Sequence, residues 1–321
     1  MAKLMAPGGT RGMAFSVLEA GADTVYVGVR GWSRRGSDTE LTDAEVRELC
    51  AAARAQGKHV RVVLNTMPSS TEVSLLLKKV DMYAGWGVTG FMISDIGSMV
   101  QVRSHFPDIT IHVSVGAGLS NALEVKFYHE LGASVVILPY RMGIEEVRAI
   151  KRSLDVGLEV FLFRTENLDG IVCPGKCTMS SYFSSNRWID HEGKDYFYGS
   201  ANRGGDCLRV CQVGWEATND DREIDGKFGL KGNPLLWLKE LSDYFHAGVD
   251  FFKVPGRERS DELVRDIVRF YRRVVDDLQA FPSDEVTAHY APELAELKKR
   301  WASERRRRDD RLVARAKGCR R

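Results

Sequence analysis

An α/β fold, a single (β/α)8 TIM-type barrel, is what the amino-acid sequence predicts, and three observations carry it. Short runs rich in Val, Ile, Leu and Phe fall near residues 3–6, 25–29, 60–65, 90–94, 109–114, 135–139, 158–163 and 251–254. Each is followed by a helical pattern, near 12–20, 43–56, 71–86, 96–105, 121–131, 144–152, 234–247 and 259–280. A recurrent junction joins the two: VLEAGADTVYVG, YAGWGVTGFMIS, FYHELGASVVILP and FHAGVDFFKVPG each read helix, glycine, strand. Strands this apolar, alternating with helices, imply a parallel sheet covered by helices, and eight such units close into a barrel. A doubly wound open sheet has the same periodicity, and periodicity alone does not separate the two.

Gly21, Gly87, Gly132 and Gly248 stand where a helix C-cap needs a left-handed residue, and Gly57 and Gly157 are expected to do the same. The one irregular interval is 164–233, a cysteine-rich insertion between the seventh strand and its helix. A barrel carries its chemistry on the loops after its strands, so this insertion falls on the active face. Residues 1–280 are thus expected to form the barrel with its insertion, and 281–321 a charged C-terminal helix or tail. Arg305 to Arg308 in that tail are followed by two aspartates, so a solvated helix is the expected reading. Contact with RNA or an acidic partner is the sharper alternative, and nucleic-acid binding is the minority expectation.

The chain of 321 residues is 44% hydrophobic and 28% charged, an ordinary globular composition with enough apolar residues for a large core. A net charge of +2 gives no global pull toward nucleic acid. No apolar run reaches eighteen residues and the start MAKLMAPGG lacks an export signal, which predicts a cytoplasmic protein with no membrane span and with reduced thiols.

Four of the six cysteines lie in the insertion as two C-x3-C pairs, Cys173 with Cys177 and Cys207 with Cys211; Cys50 and Cys319 are isolated. Four thiolates on a segment rich in Gly, Ser and Asn can reach one metal centre. Soft sulfur donors suit tetrahedral zinc or an iron–sulfur cluster, and the ligand count does not choose between them. The remaining rim loops offer Arg30, Trp32, Asn65, Thr66, Asp95, Ser114, Arg141, Arg164, Lys253 and Arg257. Of these Asp95, Arg141, Lys253 and Arg257 are the catalytic candidates, the cations because guanidinium forks match carboxylates on an anionic substrate or cofactor. Asp95 has a second reading as the cap of the helix that starts beside it. His112 in IHVS points either into the barrel or toward a helix, and a satisfied core histidine is the commoner case. His191 and the aromatics Tyr182, Phe183, Trp188, Tyr196, Phe197 and Tyr198 lie in the insertion, where aromatics more often build a small local core than cover a substrate.

In order along residues 3–275, LMAPGG, AGADTVYVG, GKHVRVVLNT, SDIG, IHVS, GKCTMSSYF, NRGGDCLRVCQ and AGVDFFKVPGRERS resemble the peptidase U32 family. That family includes collagenase-like peptidases, paired ubiquinone-biosynthesis proteins, and proteins of tRNA and ribosomal RNA hydroxylation. For the last two groups the resemblance implies a cysteine-bound 4Fe–4S cluster and hydroxylation without dioxygen, with prephenate implicated as oxygen donor in the RNA-modifying members. Cys177, Cys207 and Cys211 fall on family cysteine positions. The usual first cysteine is replaced by Gly170, and Cys173 is the displaced substitute. The family's K-[IV]-E-G-R reads Lys253-Val254-Pro255-Gly256-Arg257 here, so its acidic residue is missing.

Two functional expectations follow. One is an iron–sulfur enzyme that hydroxylates a small aromatic or prenylated substrate without dioxygen. The other is a non-catalytic cluster-bearing subunit that supports a homologous U32-family barrel, or a second copy of itself. A peptidase is weakly supported, since neither H-E-x-x-H nor G-x-S-x-G occurs and the thiols are better used as ligands.

Overall fold

The computed structural model describes residues 2–35, 37–140, 142–164 and 235–318, together with four strands between 165 and 234. Seven strands, β1 (Lys3–Gly8), β2 (Thr24–Gly28), β3 (His59–Leu64), β4 (Gly90–Ile93), β5 (Thr110–Val113), β6 (Val135–Ile137) and β7 (Gly157–Phe161), pair in parallel in chain order. An eighth barrel strand, Phe251–Lys253, lies between β7 and β1, with Lys3 opposite Phe251 and Phe251 opposite Glu159. That pairing closes the sheet and excludes the open doubly wound arrangement.

Between β7 and this last strand the described residues hold six further strands: β8 (Phe163–Arg164), β9 (Asn186–Ile189), β10 (Asp195–Tyr198), β11 (Trp215–Asn219), β12 (Arg222–Phe228) and β13 (Leu235–Leu236). The last barrel strand is accordingly β14. β9 pairs with β10 and β11 with β12, both antiparallel. β8 and β13 also pair antiparallel, so the chain leaves the barrel and re-enters it at one point of the rim. The helix expected over 234–247 is therefore shorter. Its first residues are spent on β13, and only Leu241–His246 is helical. Tyr271 fixes this root, its hydroxyl 2.9 Å from the Leu162 carbonyl and 2.8 Å from that of Trp237 while it accepts from the Trp237 amide.

Helices α1 (Arg11–Glu19), α2 (Asp43–Ala55), α3 (Ser70–Trp86), α4 (Ile96–His105), α5 (Ala122–Glu130), α6 (Ile144–Ser153), α7 (Leu241–His246) and α8 (Asp261–Ala280) cover the sheet. Side chains alternate across each strand. Met5, Tyr26, Val63, Met92, Val135, Ile137 and Phe251 fill the barrel interior, and the opposite faces of the strands join the helices in a larger apolar layer. Left-handed glycines close helices at Gly21, Gly57, Gly87, Gly132 and Gly248. Gly157 is a correction: it opens β7 without a left-handed backbone, and a Cβ there would lie 2.8 Å from Val135 Cγ2. It is small for packing, not for conformation.

The last helix, α9 (Asp284–Gly318), is more than a solvated tail. Tyr290, Leu294, Leu297 and Trp301 are buried at helical spacing, and the Trp301 ring packs 5.9 Å from Phe163 and 4.2 Å from the Arg259 guanidinium. No helix among the described residues is long and apolar enough to cross a membrane.

Candidate active site at the barrel mouth

Below the mouth lies a hydrogen-bonded line of charge. Lys253 on β14 donates to Glu159 Oε1 on β7 at 2.6 Å, and His112 Nδ1 on β5 is 2.8 Å from Glu159 Oε2. Arg61 on β3 donates through Nε to His112 Nε2 at 3.1 Å and also to Thr89. Because His112 accepts at Nε2, its proton sits on Nδ1 and points at Glu159. Burial lowers the His112 pKa despite Glu159, which keeps the ring neutral. Burial would raise Glu159, but Lys253 and His112 outweigh it and hold the carboxyl at about 2. Lys253 is lowered by its burial more than Glu159 raises it, and burial brings Arg61 to about 10. One carboxylate thus serves two buried cations, and the surplus positive charge stays in the barrel.

The next layer outward is Tyr26, whose ring centroid is 4.2 Å from Lys253 Nζ and whose hydroxyl donates to the Val254 carbonyl at 3.1 Å. Met92 Sδ, 3.3 Å away, takes another Lys253 proton. Lys253 is therefore a buried, fully engaged ammonium one layer beneath the mouth floor.

Arg257 lies above. Its two terminal nitrogens donate to Ser33 Oγ at 3.3 Å each. Glycines make room for this residue: a Cβ on Gly28 would sit 1.9 Å from Arg257 Nη1, and one on Gly9 would sit 1.8 Å from the Arg257 carbonyl oxygen. Burial first, and the neighbouring Arg35 second, lower the Arg257 pKa. Arg35 pairs with Glu258 at 3.1 Å. The β2–α2 loop also brings Arg34 to the mouth, its amide donating to Asn65 Oδ1 at 3.1 Å.

The other expected rim residues divide by role. Asp95 is the N-cap of α4, accepting from the Ser98 amide at 2.7 Å. Arg164 is spent on the root of the insertion, donating to the Tyr140 carbonyl at 3.1 Å, to Tyr244 at 3.2 Å and to Glu240. Ser114 and Thr66 are buried at the ends of β5 and β3, Trp32 is buried in the β2–α2 loop, and Arg30 is exposed. Arg141 lies outside the described residues, as do Cys173, Cys177, Cys207, Cys211 and His191. Cys50 is buried on α2, and burial raises its thiol to about 11, which leaves it unreactive.

Arg61, Glu159, Ser33, Arg34 and Ser94 are mouth or interior groups that motif reading passed over. A signal for two of them was present, a single charge at the inward parity of an otherwise apolar strand, in HVRVVL and LEVFLF. Among the described residues no group of three or more His, Cys, Asp and Glu side chains is arranged to hold a metal ion. The segment that carries the four cysteines of the two C-x3-C pairs leaves and rejoins the barrel at β8 and β13. Four thiolates are chemically suited to iron–sulfur ligation.

The model for peptidase family U32 matches residues 11–306. The tRNA hydroxylation protein P1 of Bacillus subtilis is 24% identical over 295 residues, covering 88% of this chain and 65% of that protein. A collagenase of Porphyromonas gingivalis is 24% identical over 293 residues, covering 85% of this chain and 65% of its own length. The present chain therefore spans about two thirds of these relatives. Among solved structures, the U32 peptidase Mk0906 superposes with a TM-score of 0.52 at 15% identity, over 80% of this chain and 93% of that one, and shares the fold. With its closed parallel barrel and a family match over nearly its whole length, this chain belongs to peptidase family U32.

Proposed function

We propose that this protein carries a 4Fe–4S cluster on Cys173, Cys177, Cys207 and Cys211 and hydroxylates an aromatic ring without dioxygen. The observation that carries the reading is the root of the insertion: β8 and β13 hold both ends of the cysteine segment on the rim after β7, where barrel chemistry is placed. Such a cluster supplies one-electron chemistry to a bound substrate or donor. The chain's own residues do the rest: Tyr26 floors the mouth, and Arg257, seated on Ser33, keeps positive charge there for an anionic donor, prephenate by family resemblance. The substrate we favour is a small aromatic or prenylated molecule. The hydroxylation relatives modify RNA by name, and a nucleobase is the same class of acceptor.

Anaerobic purification with iron, labile-sulfide and zinc analysis tests the cofactor. A broad absorption near 400 nm that disappears in Cys207→Ser is expected. Stoichiometric zinc without labile sulfide refutes it.

A second reading, a cluster-bearing subunit that supports a homologous barrel, is favoured by one surface feature. Leu75, Ile96, Val100, Leu123 and Phe127 are exposed within the first two turns of α3, α4 and α5, with Leu123 at 78%. Large apolar residues exposed at the same end of three successive helices suit an interface. Co-purification with a homologous barrel, lost in Leu123→Lys/Phe127→Lys, together with activity that depends only on the partner's mouth residues, favours this reading over the first.

A further inference from the structure

We infer that the mouth end of the barrel docks peripherally on an anionic lipid bilayer, through an apolar crescent on one side of the mouth and the basic end of α9 on the other. The fold sets the crescent. Barrel strands run toward the mouth and the helices that follow them run away from it, so the first turns of α3, α4 and α5 lie at the mouth end. Leu75, Ile96, Val100, Leu123 and Phe127 stand within two turns of that end, each at least 39% exposed. The carboxylates beside them are engaged on the helix starts: Glu72 accepts from the Ser69 amide at 2.9 Å, Asp95 from the Ser98 amide at 2.7 Å, and Glu124 from the Ser120 amide. Their charge is offset by the positive ends of the helices they cap.

The second element is α9, which runs back along α8 in the opposite direction. The Tyr290 hydroxyl donates to Asp277 at 2.7 Å, Arg300 to Asp266 at 2.9 Å, and the Ser260 amide to Glu304 at 3.0 Å. Ser260 is the N-cap of α8, so α9 reaches the mouth end of the barrel at Glu304. The helix does not stop there but continues to Gly318, and at 1.5 Å per residue its axis extends about 20 Å past that contact. Its composition changes at the same point. Residues 305–321 carry nine Arg and Lys against two Asp, a net +7 in a chain of net +2, so residues 1–304 carry −5.

Charge and apolarity together select the occupant. Anionic headgroups attract a helix of this cation density, and aliphatic and aromatic side chains suit the acyl boundary beneath those headgroups. A nucleic acid would match the cations and leave Leu123 and Phe127 in water. Position separates the bilayer from a partner barrel. In the closed order of strands β4, at the centre of the crescent, lies opposite β14, which leads into α8 and so to the side where α9 packs. A surface that meets both elements has to extend across the whole mouth, as a bilayer does; a protein seated on the crescent alone makes no use of the cations. This inference does not rest on the hydroxylation reading and holds for whatever reaction the barrel performs.

The test is sedimentation of the full chain with vesicles of phosphatidylcholine containing about 30% phosphatidylserine, and with vesicles of phosphatidylcholine alone. Saturable binding to the anionic vesicles is expected, at least about tenfold weaker on the neutral ones and weakened similarly at about 0.5 M salt. Replacing Arg305, Arg306, Arg307 and Arg308 together by Gln should weaken it by about tenfold or more, and Leu123→Asp/Phe127→Asp by about tenfold. Should either variant melt below the wild type, the other carries the test. No sedimentation with the anionic vesicles, or sedimentation unchanged in both variants, overturns the inference. So does polyuridylate bound more tightly than the vesicles and lost in the arginine variant, with vesicle binding intact in Leu123→Asp/Phe127→Asp; α9 is then a nucleic-acid element. A wild type that is dimeric by light scattering, ignores vesicles and becomes monomeric in Leu123→Asp/Phe127→Asp assigns the crescent to a second copy and overturns it too. Binding is read without turnover and whatever the iron content, so this inference and the hydroxylation reading fail separately.

Discussion

Replacing Glu159 with glutamine removes the one carboxylate in the buried line while keeping its shape, and leaves Lys253 and Arg61 as cations with no counterion in that line. Breaking a buried pair in this way costs about 3–5 kcal/mol. The wild-type carboxyl gives a second route to the magnitude. Held at about 2 against an ordinary value of 4.5, it contributes roughly 3 kcal/mol of native-state preference at neutral pH. A loss of this size is a large share of the about 5–15 kcal/mol that holds a domain folded, and lowers the melting temperature by on the order of 5–10 °C. Glu159 is depressed in the folded state, so its contribution is complete above about pH 4.5 and is lost as pH falls toward 2. The variant behaves differently on the alkaline side. Without Glu159, burial drives Lys253 further below its ordinary 10.5, and the penalty for its charge is relieved as pH rises through the folded value. Urea unfolding of both proteins at pH 7 and at about pH 9.5 reads both effects: the deficit should be near 3 kcal/mol at pH 7 and smaller at the higher pH. Adding Lys253→Met to Glu159→Gln should recover most of it, since an apolar side chain carries no charge to desolvate. A deficit under about 1 kcal/mol at pH 7, or one that does not narrow with pH, refutes the view that this carboxylate holds the buried cations.

Asp95→Ala removes the cap on α4 and should cost about 1 kcal/mol by denaturant unfolding; a collapse of activity out of proportion to that loss would show a chemical role beyond the cap. Gly157→Ala puts a Cβ 2.8 Å from Val135 Cγ2 and should cost about 1–3 kcal/mol, and Val135→Ala in the same chain should recover part of it, whereas a position needing a left-handed backbone would gain nothing from the second change. Trp301→Ala should cost about 3 kcal/mol by opening the contact between α9, Phe163 and Arg259, and a loss near zero would mean that α9 does not dock on the rim. Cys50 should react slowly with thiol reagents in the native state and quickly once unfolded, as mass spectrometry of the labelled peptide will show.

Eight strands, their helices and five left-handed glycine turns were legible in the sequence because each rests on local chemistry: periodicity, capping and the missing Cβ of glycine. Gly157 was misread because the same residue type answers two needs, and only the packing of Val135 tells them apart. The first half of the helix expected at 234–247 was misread for a related reason. Leu235 and Leu236 fit a helical pattern, but their partners, Phe163 and Arg164, are about seventy residues away, and non-local pairing overrides propensity. Lys253 and Arg257 were picked out as rim cations, while Glu159 and Arg61, their complement in the interior, were each one charge in an apolar strand whose meaning depends on what faces it.

By itself the sequence determined the barrel's parts and the family, since these are written in spacing and residue type. Tertiary structure decided the rest. Closure of β1 on β14 set the sheet's geometry, and the antiparallel pair β8–β13 put the insertion's root on the mouth. Strand register brought Arg61, His112, Glu159 and Lys253 into one hydrogen-bonded line from four separate strands. Which side chains meet inside a closed barrel depends on the stagger of eight strands, a property of the ring as a whole that no segment of the chain contains.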